Sequence, residues 1–116
     1  MVAATDRAVT EALDRIEKDF GLTEQEVASA LGVTMTAVED WRRGESSPNR
    51  AVRQQIDRLL ELRHHVYETF HPDDVVAWLH ESHHYLGGLT PAASLQARQY
   101  DRVEALLTVI DHGIFT

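Results

Sequence analysis

An all-α fold is predicted by two features of the 116-residue sequence: apolar residues recur at three- and four-residue steps, and the breaks between runs fall at glycine and proline. No strand-like alternation, internal repeat or low-complexity tract interrupts the pattern. Val9, Leu13, Ile16 and Phe20 share one face of a first helix that ends at Gly21. Thr23 stands three residues before Glu26, the spacing of a capping box, in which each side chain satisfies a backbone donor left free at a helix start. Val27, Ala28 and Leu31 form the apolar face of that second helix, and Gly32 stops it. A third, short helix runs from about Met35 to Arg43 behind the capping residue Thr34 and ends at Gly44. After a turn at Ser46, Ser47 and Pro48, a longer helix carries Val52, Ile56, Leu59, Leu60, Val66 and Phe70 on one side until His71 and Pro72 interrupt it. Then come a helix with Val75, Val76, Trp78 and Leu79, a loop through Gly87 and Gly88, and a Thr90-Pro91 start that reads as N-cap and first helical residue. A final helix with Tyr100, Val103, Leu106, Leu107 and Ile110 is closed by Gly113. The organisational boundary falls at His71-Pro72, dividing the chain into residues 1–70 and 71–116.

The length suits one compact domain or two small helical modules sharing a core. With 43% hydrophobic residues and three prolines, the chain is expected to fold. The absence of cysteine excludes disulfides and thiolate zinc sites. No stretch approaches the ~18 apolar residues of a membrane span, and Met1 to Arg15 lack the continuous apolar region of a secretory signal, so a cytoplasmic protein without a membrane partner is expected. A net charge of −8 opposes general affinity for DNA, which depends on Lys and Arg displacing counterions from phosphate, so any DNA contact must come from a local patch. The same acidity suits a protein partner with a basic groove.

The segment from Leu22 to Gly44 has the makings of a helix-turn-helix, two helices crossing around a turn of three or four residues so that the second can enter a major groove. Ala28 is small where the helices approach, Gly32 permits the turn, and Val33, Val38 and Trp41 supply the shared core. In Ala28, Leu31-Gly32-Val33, Val38, Trp41, Arg43-Gly44 and Pro48 the stretch resembles the Xre family of Cro/repressor-type regulators. The resemblance implies that Met35, Thr36, Glu39 and Asp40 face the groove, with Gln25, Arg42, Arg43 and Arg50 beside it. Two acids on a base-reading face can accept from cytosine N4 yet repel phosphate. The alternative reading is a packing or dimerisation unit in which Arg42 and Arg43 are a solvated pair at a helix C-terminus.

The segment from Trp78 to Phe115 resembles the toxin-binding region of the Xre/MbcA/ParS antitoxins, the partners of RES-domain toxins, in Trp78-Leu79, Leu86-Gly87-Gly88, Thr90-Pro91, Leu95, Tyr100-Asp101-Arg102-Val103, Leu106-Leu107, Ile110 and Gly113-Ile114-Phe115. Together the two resemblances span Leu22 to Thr116. They imply a small helical toxin-binding module that covers an NAD-degrading enzyme, an operator-binding front half that represses its own operon, and a homodimer within a larger toxin–antitoxin assembly; the alternative on the same fold is a stand-alone helix-turn-helix repressor with no toxin. Toxin contact falls to Arg98, Tyr100, Arg102, Gly113, Ile114, Phe115 and Thr116. Tyr100, like Trp78, also reads as core. Ile114 and Phe115 either anchor in the partner's pocket or fold back onto this chain. The chain departs from the family pattern at Ser82-His83-His84, where an Asn-Pro-like turn is usual, and at Arg98, near a usual glycine, where an arginine would let a helix continue.

His80-Glu81-Ser82-His83-His84 matches the H-E-x-x-H of zinc hydrolases, which needs two imidazoles one helical turn apart. The longer form of that motif calls for a third histidine where Thr90 stands, so the match is read as fortuitous. His64-His65 and His83-His84 read as a polar helix face and a polar loop. No serine–histidine–acid set, phosphate-binding glycine loop or paired carboxylates stand out, so neither an enzymatic activity nor a cofactor is expected.

Overall fold

The structure, a computed structural model, describes residues 7–113. Among them are seven α-helices and no strand: α1 (Arg7–Phe20), α2 (Glu24–Leu31), α3 (Met35–Arg43), α4 (Arg50–Thr69), α5 (Pro72–Leu79), α6 (Pro91–Gln96) and α7 (Tyr100–Asp111), with a 3-10 turn at His84–Leu86. The anticipated tail residues Ile114, Phe115 and Thr116 lie outside the described residues.

Helix starts follow from local chemistry. The Thr23 and Glu26 side chains complete the capping box of α2 reciprocally. Thr34, Asn49 and Thr90 each accept a backbone N–H three residues on, and Pro91 occupies the first position of α6, where its missing N–H costs nothing. The ends of α2, α3 and α6 share one geometry. At Gly32 and Gly44 the backbone turns left-handed, the glycine N–H reaches back three residues and the next N–H five, so the carbonyls of Ala28 and Ser29 in α2 and of Asp40 and Trp41 in α3 are satisfied. The same pair of bonds closes α6, where Arg98 donates to Leu95 and Gln99 to Ser94, but here the left-handed residue is Arg98, at φ 60°. The helix therefore stops at the arginine, contrary to the expectation that it could continue. Packing against the rest of the chain sets the turn in place of the absent glycine.

One core runs through both halves. The periodic residues Val9, Leu13, Ile16, Phe20, Val27, Ala28, Leu31, Val38, Trp41, Ile56, Leu59, Val66, Val75, Trp78, Leu79, Tyr100, Val103, Leu106 and Leu107 are all buried in it. Leu22, Ala30, Leu62, Leu86, Ala92 and Leu95 join them, while Val33, Val52, Leu60, Phe70 and Ile110 are only half-buried. Val76 stays on the surface, with its methyls beside Gly21, where a Cβ would come within 2.8 Å of them. Across the 70/71 boundary, α7 lies along α4, α6 packs on α2, and α5 packs on α1.

Candidate functional site

The outward face of α3 is largely neutralised by its own neighbours. Arg42 is only 27% exposed and turns inward, its guanidinium bonded to Asp14 at 2.7 Å and Glu17 at 2.5 Å on α1 and to Glu24 at the start of α2. Three carboxylates thus occupy every face of that cation, and Arg42 ties α3 to both preceding helices. Arg43 stays on the surface among Asp40 at 2.6 Å, Glu45 at 3.3 Å and Glu39 at 3.9 Å. Neither arginine is a freely solvated charge pair. Met35 is half-buried against the core, whereas Gln25, Thr36 and Glu39 are exposed. Arg50, the first residue of α4, is exposed and has no ion-pair partner among the described residues. Of the anticipated DNA-facing set, therefore, Gln25, Thr36, Glu39 and Arg50 are open to solvent, Arg43 is open but engaged, and Arg42 is a structural tie.

At the α6–α7 turn, the Arg98 side chain lies over the Gly32 turn, its Nη1 3.5 Å from the Ser29 carbonyl. Tyr100 is buried and donates its hydroxyl to the Ala30 carbonyl. Burial pushes that phenol up to about 12, against the lowering influence of Arg98 and Arg58, so it remains a donor at any physiological pH. Both residues thereby meet the carbonyl end of α2. The guanidinium of Arg58 stands over the Tyr100 ring, 5.9 Å from its centroid, and pairs with Asp101. Arg102 and Gly113 are exposed. The anticipated contact set thus divides into one core residue, Tyr100, and the accessible Arg98, Arg102 and Gly113.

The H-E-x-x-H stretch is not helical. Helix α5 ends at Leu79 and His80 is its C-cap, so the imidazoles are not stacked one turn apart as the zinc motif requires. His80 is bonded through Nδ1 to the Val76 carbonyl, and His83 lies on Trp78, ring centroids 5.3 Å apart. The His83 backbone closes the following loop by bonds with Leu89 and Gly88, each 3.0 Å.

A polar cluster that sequence reasoning missed sits where α4 meets the end of α7. His65, assigned to a polar helix face, has Nδ1 on Glu104 and Nε2 on Asp111, and the second Asp111 oxygen accepts from Thr69 Oγ1 at 2.7 Å. Burial opposes charging of the ring, but hydrogen bonds to Asp111 and Glu104 outweigh it and raise the His65 pKa. Bonds from His65 and Thr69 hold the Asp111 carboxyl below the usual range. The only trace of this in the sequence is that Glu104 and Asp111, seven residues apart, share a helix face.

The described residues thus form helices and no strand, with a capped two-helix turn in the first half and an accessible Arg98 at the α6–α7 turn in the second. No protein-family profile matches the chain. It is 34% identical over 110 residues to the probable mycobacterial cidal antitoxin Rv3188 of Mycobacterium tuberculosis, covering 90% of each chain. It is 26% identical over 107 residues to the mycobacterial cidal antitoxin MbcA of Mycobacterium bovis, covering 92% of this chain and 91% of that one. A crystal structure of the M. tuberculosis MbcT-MbcA toxin-antitoxin complex contains a chain with the same fold, at a TM-score of 0.69 and 23% identity, over 95% of this chain and 99% of that one. The chain is thus of the antitoxin class. It belongs to the family of mycobacterial cidal antitoxins.

Proposed function

We propose that this chain neutralises a RES-type, NAD-degrading toxin by covering its active site, and that it represses its own operon as a homodimer. The observation that carries the reading is its likeness to named antitoxins over nine-tenths of both chains. MbcA of M. tuberculosis has been crystallised with a toxin, MbcT, and the partner proposed here is the corresponding toxin of this chain. Residues 71–116 form the toxin-binding module, with Arg98, Arg102 and Gly113 through Thr116 as its contact residues and Tyr100 as the support behind them. Residues 1–70 form a helix-turn-helix region, in which α3 enters the major groove and Gln25, Thr36, Glu39 and Arg50 meet the DNA. Met35 and Arg42 place α3, and Arg43 is released to phosphate only when it leaves Asp40 and Glu45.

Co-expression with the product of the neighbouring gene tests the toxin reading. The expected result is a stable complex that is silent towards NAD when intact and consumes NAD when this chain is truncated after His112. A neighbour that neither binds nor consumes NAD would overturn it. For the operator, Arg50→Ala is expected to lower the salt dependence of binding by about one counterion, read from affinity at several salt concentrations.

A further inference from the structure

We infer that His65, Glu104 and Asp111 form a proton-operated clasp that holds the last turn of α7 onto α4, and that the clasp governs how firmly this end of the chain is presented to its protein partner. The second half rests on the antitoxin reading; the first stands without it.

Hydrogen-bond inventory makes the case. Both ring nitrogens of His65 face a carboxylate oxygen, and only the imidazolium carries a proton on each. A neutral ring satisfies one acid and turns a lone pair towards the other. Thr69 completes the arrangement, donating to Asp111 at 2.7 Å, while its hydroxyl also lies 2.9 Å from the His65 carbonyl. Earlier in α7, Val103, Leu106 and Leu107 are buried and anchor the helix by apolar contact. At its last turn Ile110 is only half-buried, and His112 bonds within its own helix, to Thr108. The interhelical tie at that turn is therefore chiefly the clasp.

The charged groups facing His65 from α7 are Glu104 and Asp111, with His112 acting on Asp111 and Glu104 in turn acting on Arg58 of α4. Along α4, His64 turns outward to Glu68 at 3.2 Å, and Arg63 takes up Asp19 of α1 at 2.5 Å. Neither competes for the imidazole. Because the His65 pKa is raised on folding, its stabilisation is complete below the unfolded value of about 6.5 and is lost as pH rises through the folded value. The Asp111 pKa is lowered, so its share is present above the ordinary aspartate range and is lost only as pH falls through its depressed value. The clasp is closed between those limits and opens on the alkaline side.

The test uses the full chain. Imidazole resonances followed by NMR from pH 5 to 9 are expected to give His65 a midpoint above that of an unperturbed histidine, falling in Asp111→Asn. Over the same range, hydrogen exchange at residues 108–113, corrected for the intrinsic pH dependence, is expected to lose protection by roughly tenfold per unit of pKa elevation. Exchange in α2 should not change, and His65→Gln should abolish the trend. A His65 midpoint at or below the ordinary value, or flat protection at residues 108–113, overturns the clasp. With the neighbouring gene's product, affinity is expected to fall as pH rises for the native chain and to stay level for His65→Gln. Complex formation insensitive to pH while His65 titrates as stated overturns the presentation role. Absence of any complex overturns the proposed toxin partnership and leaves the NMR result to judge the clasp.

Discussion

Arg98 carries a backbone conformation that costs an L-residue about 1–2 kcal/mol. Part of the return is visible: its side chain covers the Gly32 turn and reaches the Ser29 carbonyl. Replacing it by glycine removes the strain and the cover together while loosening the unfolded chain, so Arg98→Gly is expected to raise stability by up to about 1 kcal/mol. Arg98→Ala keeps the strain and loses the contacts, and should lower stability by about 0.5 kcal/mol. Denaturant midpoints decide the matter; a glycine variant less stable than the alanine variant would refute this account. The sequence comparison with the family pattern marked the position as unusual, but its backbone angle was not legible there. A residue's φ at a helix end depends on what the next helix must reach, and here that is Tyr100 on Ala30.

Among the elements, α3 shows how local and distant information divide. Its boundaries, Thr34 and Gly44, were legible because caps are chemistry among neighbours. The destination of Arg42 was not, because its partners stand 18 to 28 residues away on two other helices. Arg42→Ala leaves three carboxylates facing one another. Burial already pushes the Glu17 carboxyl up, with Arg42 lowering it and Glu24 and Asp14 raising it further. The substitution is expected to cost about 1–3 kcal/mol at neutral pH, as for loss of hydrogen bonds to a charged group. The loss should shrink as pH falls into the carboxylate range, where the uncompensated charges are titrated away. Urea titrations at pH 7 and pH 4 measure both, and an equal loss at the two values would show that the guanidinium acts through packing alone.

Across the whole molecule, period and spacing disclosed which side of each helix is buried but not which helix it is buried against. The all-α class and most core positions could be read, whereas the burial of Leu22, Ala30, Leu62 and Ala92 and the pairing of α4 with α7 and of α2 with α6 could not. That pairing depends on long-range closure, to which a periodic pattern is blind. Its energetic consequence is that residues 7–70 and 71–113 share apolar surface neither could leave exposed. Calorimetry is expected to show a single unfolding transition with equal calorimetric and van't Hoff enthalpies. Two separated transitions would contradict a common core.

The carbonyl end of α2 is satisfied partly in its own turn, by the N–H groups of Gly32 and Val33 on Ser29 and Ala28, and partly from the other half of the chain, by the Tyr100 hydroxyl on Ala30, with the Arg98 guanidinium near Ser29. A ligand that draws on Arg98 therefore alters the support of the turn leading into α3, and a ligand that shifts α3 alters the setting of Arg98. Free energy exchanged through such a joint obeys reciprocity: the factor by which one ligand changes affinity for the other is the factor by which it is changed in return.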